Sequence, residues 1–366
     1  NTTRTPHMSN PMNALEQKLQ YPFGEALPEQ GVAMDVAPGV KWIRMALPFA
    51  LNHINLWLIR DVKDGRKGWT AVDCCVASDT SRAQWEQVFT NALEGLPILR
   101  VLVTHMHPDH IGLAHWLCQR WNAPLWISAT DYHVANTLLR ADTGVRGAAS
   151  ADFYTSHGLQ DPDILDGIRQ RGDHYPSLVP SLPPQFHRLI DNASVQIGAY
   201  SWRCIAGYGH APEHMALYCE QTGVLISGDM VLPRISTNVS VFEMEPTANP
   251  LALFLNSLER YRVLPASTLV LPSHGKPFKG LHTRLDQLKS HHQERLAEVL
   301  DLCSQGWCSS ADVVPLMFKR ILDNQQLPFA LGEALSHLHY LWFEGRLERE
   351  LDVQGVYRFH AQKENQ

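Results

Sequence analysis

The sequence has no long hydrophobic run, although 45% of its 366 residues are hydrophobic. A membrane-spanning helix needs about 20 consecutive apolar residues, and no stretch approaches that length. Residues 1–10 also lack the basic and then apolar pattern of a secretion signal. Positions 1–7 resemble cloning residues that lead into a native start at Met8, and they are excluded from fold prediction. The sequence therefore predicts a protein without a membrane partner.

Two further absences narrow the function classes. Lys and Arg number 31 against 37 Asp and Glu, so the net charge is −6, and the basic excess typical of nucleic-acid-binding proteins is missing. The seven cysteines include no C-x-x-C pair, and their odd number does not favour a disulfide framework. Reduced thiols of this kind fit a cytoplasmic location.

Strand-like and helix-like segments alternate along much of the chain, which predicts an α/β fold. Apolar or alternating runs over 41–47, 53–60, 69–73 and 99–104 predict strands, and helical spacing predicts helices over 78–93, capped by Ser81, and over 111–121. The alternation breaks over 131–187, where prolines and a Gly/Ala/Ser stretch at 144–151 predict an insertion. Strands return between 194 and 227.

From residue 283 the pattern becomes mainly helical. Helices are predicted over 283–303, 309–321 and 329–344, followed by two strands over 347–351 and 356–360. Three helices and a β-hairpin form the outline of a winged helix. We therefore predict a larger α/β domain over 8–282 with the insertion 131–187, and a winged-helix-like C-terminal domain over 283–366.

The run His-Met-His-Pro-Asp-His at 105–110 places four ligand-type side chains within six residues. They follow the predicted strand 99–104. Histidine nitrogens and carboxylate oxygens are the usual ligands of zinc and its neighbours. A lone histidine is more often structural, but four such residues together predict a metal site.

Three further candidates follow later strands. His210 lies in Gly-Tyr-Gly-His-Ala-Pro-Glu-His, Asp229 in Ser-Gly-Asp-Met, and His274 in Pro-Ser-His-Gly. Each follows an apolar strand and a small residue, and small residues let the backbone approach closely. The pattern predicts that these side chains join the first motif.

The complete set of motifs resembles the metallo-β-lactamase-fold superfamily across residues 40–280. The resemblance implies an α/β fold, the αββα four-layer sandwich, with the site at one edge between two sheets. It also implies two divalent metal ions and a hydroxide that bridges them. Zinc is the default ion, and manganese and iron bind similar sites. The implied ligands are His105, His107 and His210 for one ion, Asp109, His110 and His274 for the other, and Asp229 between them.

The same resemblance implies roles around the ligands. Asp109 and Asp229 are expected to be catalytic as well as metal-binding. Asp73, at the end of the strand 69–73, is expected to orient a ligating histidine, and His214 is expected to act from outside the ligand set. Cys74 and Cys75 are interpreted as small packing residues.

The tail resembles that of a lactamase-like branch with a C-terminal winged helix, whose metal site is related to that of glyoxalase II. We expect a thioesterase-like hydrolase of a small acyl substrate: a thioester, lactone or ester. Two alternatives stay open, namely a phosphodiesterase or endoribonuclease of that branch and a non-catalytic binding protein. The predicted helix 329–344 contains no Arg or Lys, which disfavours nucleic acid as a partner; a packing role or a homodimer contact fits it better.

Substrate selection is assigned mainly to the insertion. Its mixture of aromatic and basic side chains could form an apolar pocket with an anion-binding group. Other histidines, His53 among them, match no ligand position and are interpreted as surface or packing residues; His291 and His292 are assigned to a solvated helix face. The candidate pocket residues are Tyr154, Tyr175 and Arg171 in the insertion, and Tyr208 just before His210.

Overall fold

A computed structural model gives the fold of residues 13–140 and 144–362. The predicted cloning residues 1–7 and the last four positions of the predicted C-terminal domain lie outside the described residues. The first half of the chain forms a seven-stranded sheet whose strands lie side by side in sequence order. Strands β1 to β4 pair antiparallel, and β4 to β7 pair parallel. The strands are β1 (Met34–Ala37), β2 (Val40–Ala46), β3 (His53–Lys63), β4 (Arg66–Val72), β5 (Ile98–Leu102), β6 (Leu125–Ser128) and β7 (His187–Leu189).

A second sheet of five strands follows, in the order β12-β11-β10-β9-β8. Its neighbours are antiparallel except β11 and β12, which are parallel. The strands are β8 (Ser194–Ile197), β9 (Tyr200–Gly207), β10 (His214–Cys219), β11 (Val224–Gly228) and β12 (Leu269–Pro272).

Strand β3 shows how the layers arise. Successive side chains of a strand point to opposite faces, and both faces of β3 are apolar. Leu56 and Leu58 pack with the helices outside the first sheet. Trp57 and Ile59 pack between the sheets, against Trp202 of β9. Because the second sheet also carries helices on its outer face, the result is the predicted α/β sandwich of four layers, αββα.

Eleven α-helices are present in the described residues, and none of them combines the length and apolar composition needed to cross a bilayer. Helix α1 is capped by Ser78, whose side chain accepts from Ser81 N, so the prediction of Ser81 as the cap is wrong. The helices are α1 (Asp79–Asn91), α2 (Pro108–Ile111), α3 (Ala114–Trp121), α4 (Ala129–Leu139), α5 (Ala148–Thr155), α6 (Pro162–Arg169), α7 (His174–Leu178), α8 (Pro250–Glu259), α9 (Leu281–Ser304), α10 (Ser310–Met317) and α11 (Gln326–Phe343).

The insertion and the tail pack against each other. The tail ends in the antiparallel hairpin β13 (Leu347–Leu351) and β14 (Tyr357–Ala361). Tyr357 N donates to Ser156 O, and Phe153 of α5 belongs to the same apolar cluster as Leu335 of α11. Three helices and a hairpin are therefore present in the predicted order, and their description as a winged helix stays a prediction.

The assignment of His292 to a solvated face is wrong. His292 is fully buried on α9, where it follows Leu285 and Leu288 along the apolar stripe of the helix. Its Nδ1 lies 3.2 Å from His337 Nε2 of α11. His291, the neighbouring residue, is exposed.

A buried ion pair joins the two sheets. Asp61 of β3 accepts two hydrogen bonds of 2.8 Å from Arg100 of β5 and one of 3.0 Å from Gly198 N. Arg100 also donates to Gln196 O of β8. Asp61 lies eight residues beyond His53 along β3, which is about 26 Å at the rise of a strand.

Candidate metal centre

Four strand ends meet at one edge of the two sheets and bring the predicted ligands together. The loop after β5 carries the first motif, β9 leads to His210, β11 to Asp229, and β12 to His274. The candidate ligand atoms form two groups, and within each group all atoms lie within 4.8 Å of one another. The groups are His105, His107, His210 and Asp229, and Asp109, His110 and His274.

The first group converges on one point. His105 Nε2 and His210 Nε2 lie 3.3 Å apart, and each lies 3.1 Å from His107 Nδ1. His210 Nδ1 donates to Asn238 O, so its Nε2 carries a lone pair. A tetrahedral ion with bonds of about 2.0–2.1 Å separates its ligands by about 3.4 Å. The spacing of these nitrogens therefore fits a shared metal ion.

The second group is joined to the first by Asp229. Asp109 Oδ2 lies 3.5 Å from His110 Nε2 and 3.4 Å from His274 Nε2. Asp229 Oδ2 lies 3.2 Å from His210 Nε2, whereas Asp229 Oδ1 lies 3.4 Å from His274 Nε2. His110 Nε2 and Asp229 Oδ1 are buried and have no hydrogen-bond partner among the described residues. Such orphaned atoms need a partner, and a second cation fits there.

The histidines of the two groups differ in the direction of their pKa shifts. Burial lowers the pKa of His105 well below its ordinary value and that of His107 to about 3, so both rings are neutral, the form that binds metals. Burial alone would lower the pKa of His110 too, but Asp109, Asp229 and Asp73 raise it well above its ordinary value. Three carboxylates therefore surround His110, and their negative charge favours a cation beside its ring.

The two residues predicted to lie behind the ligands contact the site. Asp73 Oδ2 accepts from His110 Nδ1 at 2.7 Å, which fixes the tautomer that leaves Nε2 free. His214 Nε2 accepts from Asp229 N at 3.2 Å. A Cβ on Gly228, whose φ is +54°, would lie 2.1 Å from His214 Nε2, so only glycine fits between β11 and this ring.

Other contacts behind the ligands escaped the sequence analysis. The carbonyl of His53 accepts from His274 Nδ1 at 2.7 Å, and the His53 ring accepts from Gly275 N at 2.9 Å. Asn238 O accepts from His210 Nδ1 at 2.7 Å. Because the two ligands are held by backbone carbonyls, these contacts to His274 and His210 do not depend on the side chains at 53 and 238.

Asp131 was missed as well. Its buried carboxyl accepts from Met106 N at 2.7 Å and from Glu213 N at 2.6 Å, so it ties the loop of His105 and His107 to the loop before His214. Burial raises the pKa of Asp131 to about 7. The sequence signal at this position was a helix start, because Asp131 lies three residues after Ser128, the N-cap of α4.

The predicted pocket residues lie in different surroundings. Tyr154 is buried in the cluster shared by insertion and tail, and the Tyr175 hydroxyl donates to Met106 O below the ligand loop. Both rings are buried among protein atoms, so their assignment to a substrate pocket stays a prediction. Tyr208 is half-buried with its hydroxyl 3.4 Å from Glu213, and Arg171 donates to Asn324 O of the tail.

The adjacent cysteines behave as packing residues. Cys74 and Cys75 are fully buried. Burial raises the pKa of Cys74 well above its ordinary value and that of Cys75 to about 11. Both thiols stay protonated near neutral pH, so neither is an activated nucleophile.

Comparisons with known families match the two parts of the chain separately. Residues 51–274 match the family profile described as "Metallo-beta-lactamase superfamily". Residues 296–362 match the profile described as "Metallo-beta-lactamase-like, C-terminal domain".

Similar proteins cover nearly the whole length. A beta-lactamase domain protein from Burkholderia ambifaria, known from its crystal structure, is 54% identical, with a TM-score of 0.91 over 96% of this chain and 100% of that chain. A metallo-beta-lactamase family protein from Thermus thermophilus is 26% identical, with a TM-score of 0.74 over 89% and 99%. "Probable metallo-hydrolase YqjP" of Bacillus subtilis is 22% identical over 86% of this chain and 96% of its own.

Proposed function

This chain belongs to the metallo-beta-lactamase superfamily and is a metal-dependent hydrolase, and from that premise we propose that it hydrolyses a small acyl substrate at a dinuclear zinc site. Thioesters, lactones and esters are the substrate classes that we expect. We further expect a cytoplasmic enzyme whose partner is a small molecule, and its tail is compatible with a homodimer contact.

The shielding of the ligand set supports a small substrate. Asp109 exposes 18% of its side chain, whereas Asp229 exposes 9% and His274 3%. A site whose ligands are covered this closely suits a compact carbonyl compound better than a polymer. Burial also favours catalysis, because polar groups stabilise the charge that develops in the transition state more strongly in a site that excludes bulk water.

Two divalent ions bound to these residues would acidify a water molecule and polarise the carbonyl oxygen of the substrate. The protein orients the candidate ligand side chains. Asp73 and Asn238 fix the ring nitrogens that His110 and His210 turn toward the centre. His214 holds the backbone of Asp229, so both carboxylate oxygens stay directed at the two groups.

The alternative of RNA cleavage has less support. Helix α11 has no Arg or Lys, and most of its middle turns are buried against the rest of the protein. A helix that binds phosphates needs exposed cations. The alternative of a binding protein without turnover is disfavoured by the intact set of seven ligand-type residues.

A hydrolysis panel on the zinc-loaded protein tests the proposed substrate class. The panel contains acyl-CoA, acyl-glutathione, a lactone, a β-lactam and a short RNA, with bound metal measured in the same samples. We expect turnover of at least one acyl substrate with about two zinc ions per chain. Cleavage of RNA alone would replace the proposal by its first alternative, and full metal loading without any turnover would favour the second.

Arg44 is the candidate anchor for a negatively charged part of the substrate. It lies opposite Asn55 in the β2–β3 pair, and Asn55 Nδ2 donates to the carbonyls of Pro272 and Gly275, on either side of His274. Arg44 Nε is buried without a hydrogen-bond partner among the described residues. A carboxylate or phosphate of the substrate would supply that partner.

We therefore expect Arg44→Gln to raise KM for anionic acyl substrates about 10- to 100-fold, since a charged hydrogen bond contributes about 1.5–3 kcal/mol. The change in kcat should be smaller. Lys41→Gln is the control, because Lys41 lies on the same strand but contacts Ala92 O. Steady-state kinetics with an anionic and a neutral substrate measure the effect, and equal losses on both would remove Arg44 from substrate binding.

A further inference from the structure

His210 is held in place by a segment that follows the strand of Asp229. This segment, Ser236–Val241, is called the support segment below. Its Asn238 carbonyl accepts from His210 Nδ1 at 2.7 Å, and Thr237 Oγ1 lies 2.9 Å from the same nitrogen. The direction in which His210 Nε2 points therefore depends on where the support segment lies.

The C-terminal helix α11 in turn holds the support segment. Four hydrogen bonds join the two, and they involve backbone and side-chain groups of both partners. They run from Asn238 Nδ2 to Glu333 Oε2 (3.2 Å), from Ser336 Oγ to Val239 O (2.8 Å), from Ser240 Oγ to Phe329 O (3.2 Å) and from Val241 N to Gly332 O (3.1 Å).

The approach between α11 and the support segment leaves no room for a side chain. A Cβ on Gly332 would lie 2.7 Å from Ser240 Cβ and 3.0 Å from Val241 O. Glycine is unfavourable inside a helix. Its presence in the middle of α11 is explained by this close contact.

A second line of contacts anchors the start of the support segment. His337 Nδ1 donates to Glu333 O, so its Nε2 accepts from His292 Nδ1 of α9. His292 Nε2 then accepts from the Ser236 hydroxyl at 3.0 Å. Burial lowers the pKa of His292 to about 2 and that of His337 to about 4, so both rings are neutral, and a neutral ring donates through one nitrogen and accepts through the other. Two helices of the tail thus hold both ends of the support segment.

We propose that α11 is a positioning element of the metal centre: it holds His210, through Asn238 of the support segment, in the orientation that binds a metal ion. The C-terminal domain then contributes to metal affinity without supplying a ligand. This inference rests on the proposed function only in requiring that the group of His105, His107, His210 and Asp229 binds a metal.

The variant Gly332→Ala tests the inference. Alanine favours a helix, so α11 itself should stay folded, while the new methyl group displaces the support segment. Contacts behind a metal ligand typically change affinity 10- to 100-fold. We expect one zinc ion to bind at least 10-fold more weakly in competition with a chelator, and the visible spectrum of the Co²⁺-loaded protein to change. Gly167→Ala is the matched control, because a Cβ on this helical glycine of α6 would meet open space.

Glu333→Ala is the second variant, and it removes the side-chain partner of Asn238 without adding volume. Circular dichroism and thermal unfolding verify that the variants are folded. Wild-type metal affinity and an unchanged Co²⁺ spectrum in both folded variants would overturn the inference and leave α11 as structural cover. A wild-type protein that binds less than one zinc ion would instead contradict the proposed function, so the two failures are distinguishable.

Discussion

Asp229→Asn is expected to lower kcat/KM by about 10³-fold and to reduce bound zinc from two ions per chain to one or fewer. Each tenfold loss corresponds to about 1.4 kcal/mol of transition-state stabilisation. The substitution removes the charge that faces both groups of ligands, and it turns an amide N–H₂ toward one of them. Asp229 Oδ1 is buried without another partner among the described residues, so nothing on the protein compensates for its loss.

The measurements are steady-state kinetics with the best substrate of the panel and elemental analysis after removal of free metal. Asp166→Asn is the matched control, since Asp166 is exposed and pairs only with Arg169 of the same helix in the described contacts. If Asp229→Asn kept two zinc ions and activity within tenfold of the wild type, Asp229 would not bridge the two groups.

Asp61→Asn should have the largest effect on stability. Breaking a buried ion pair by removing one partner typically costs about 3–5 kcal/mol, because Arg100 would remain buried without its counter-charge. The corresponding fall in Tm is roughly 4–6 °C for a protein of this size. Below the unfolding temperature activity should be unchanged, since Asp61 lies near the far end of β3 from the metal centre.

Chemical denaturation at several pH values tests this prediction. Burial alone would raise the pKa of Asp61, but hydrogen bonds from Arg100 and Thr70 hold it below its ordinary value. A lowered carboxyl pKa contributes stability above the unfolded pKa near 3.9 and loses it as pH falls through the folded value. The difference in unfolding free energy between the wild type and Asp61→Asn should therefore be largest at neutral pH and decrease in acid.

Glu94→Gln is the control for the ion pair, because Glu94 forms a surface ion pair with Arg60, the neighbour of Asp61 on β3. Exposed pairs contribute about 0–1 kcal/mol. If Asp61→Asn lost as little unfolding free energy as Glu94→Gln, the ion pair of Asp61 and Arg100 would contribute little to stability.

The strand ends that carry the candidate ligands could be predicted from the sequence, because the pattern that marks them lies within a few residues. Apolar strands such as Val224–Gly228 end in small residues followed by a ligand-type side chain, and this pattern needs no knowledge of tertiary contacts. His292 could also have been placed correctly, because it continues the three- and four-residue spacing of Leu281, Leu285 and Leu288 on α9.

The contacts behind the ligands could not be predicted in the same way. His53 and Asn238 act through their carbonyls, which every residue has, and they lie 221 and 28 residues from the histidines that they hold. Tyr154 was placed in a pocket because it is aromatic and lies in the insertion. Only the packing of the tail against α5 shows that its ring is enclosed.

The cluster shared by the insertion, the second sheet and the tail has a consequence for folding. It combines Phe153 of α5, Leu225 of β11, Leu335 of α11 and Phe359 of β14 in one apolar core. The two segments that family profiles separate thus share one apolar core. They are expected to melt in one cooperative transition, so that neither segment keeps its structure once the other has unfolded.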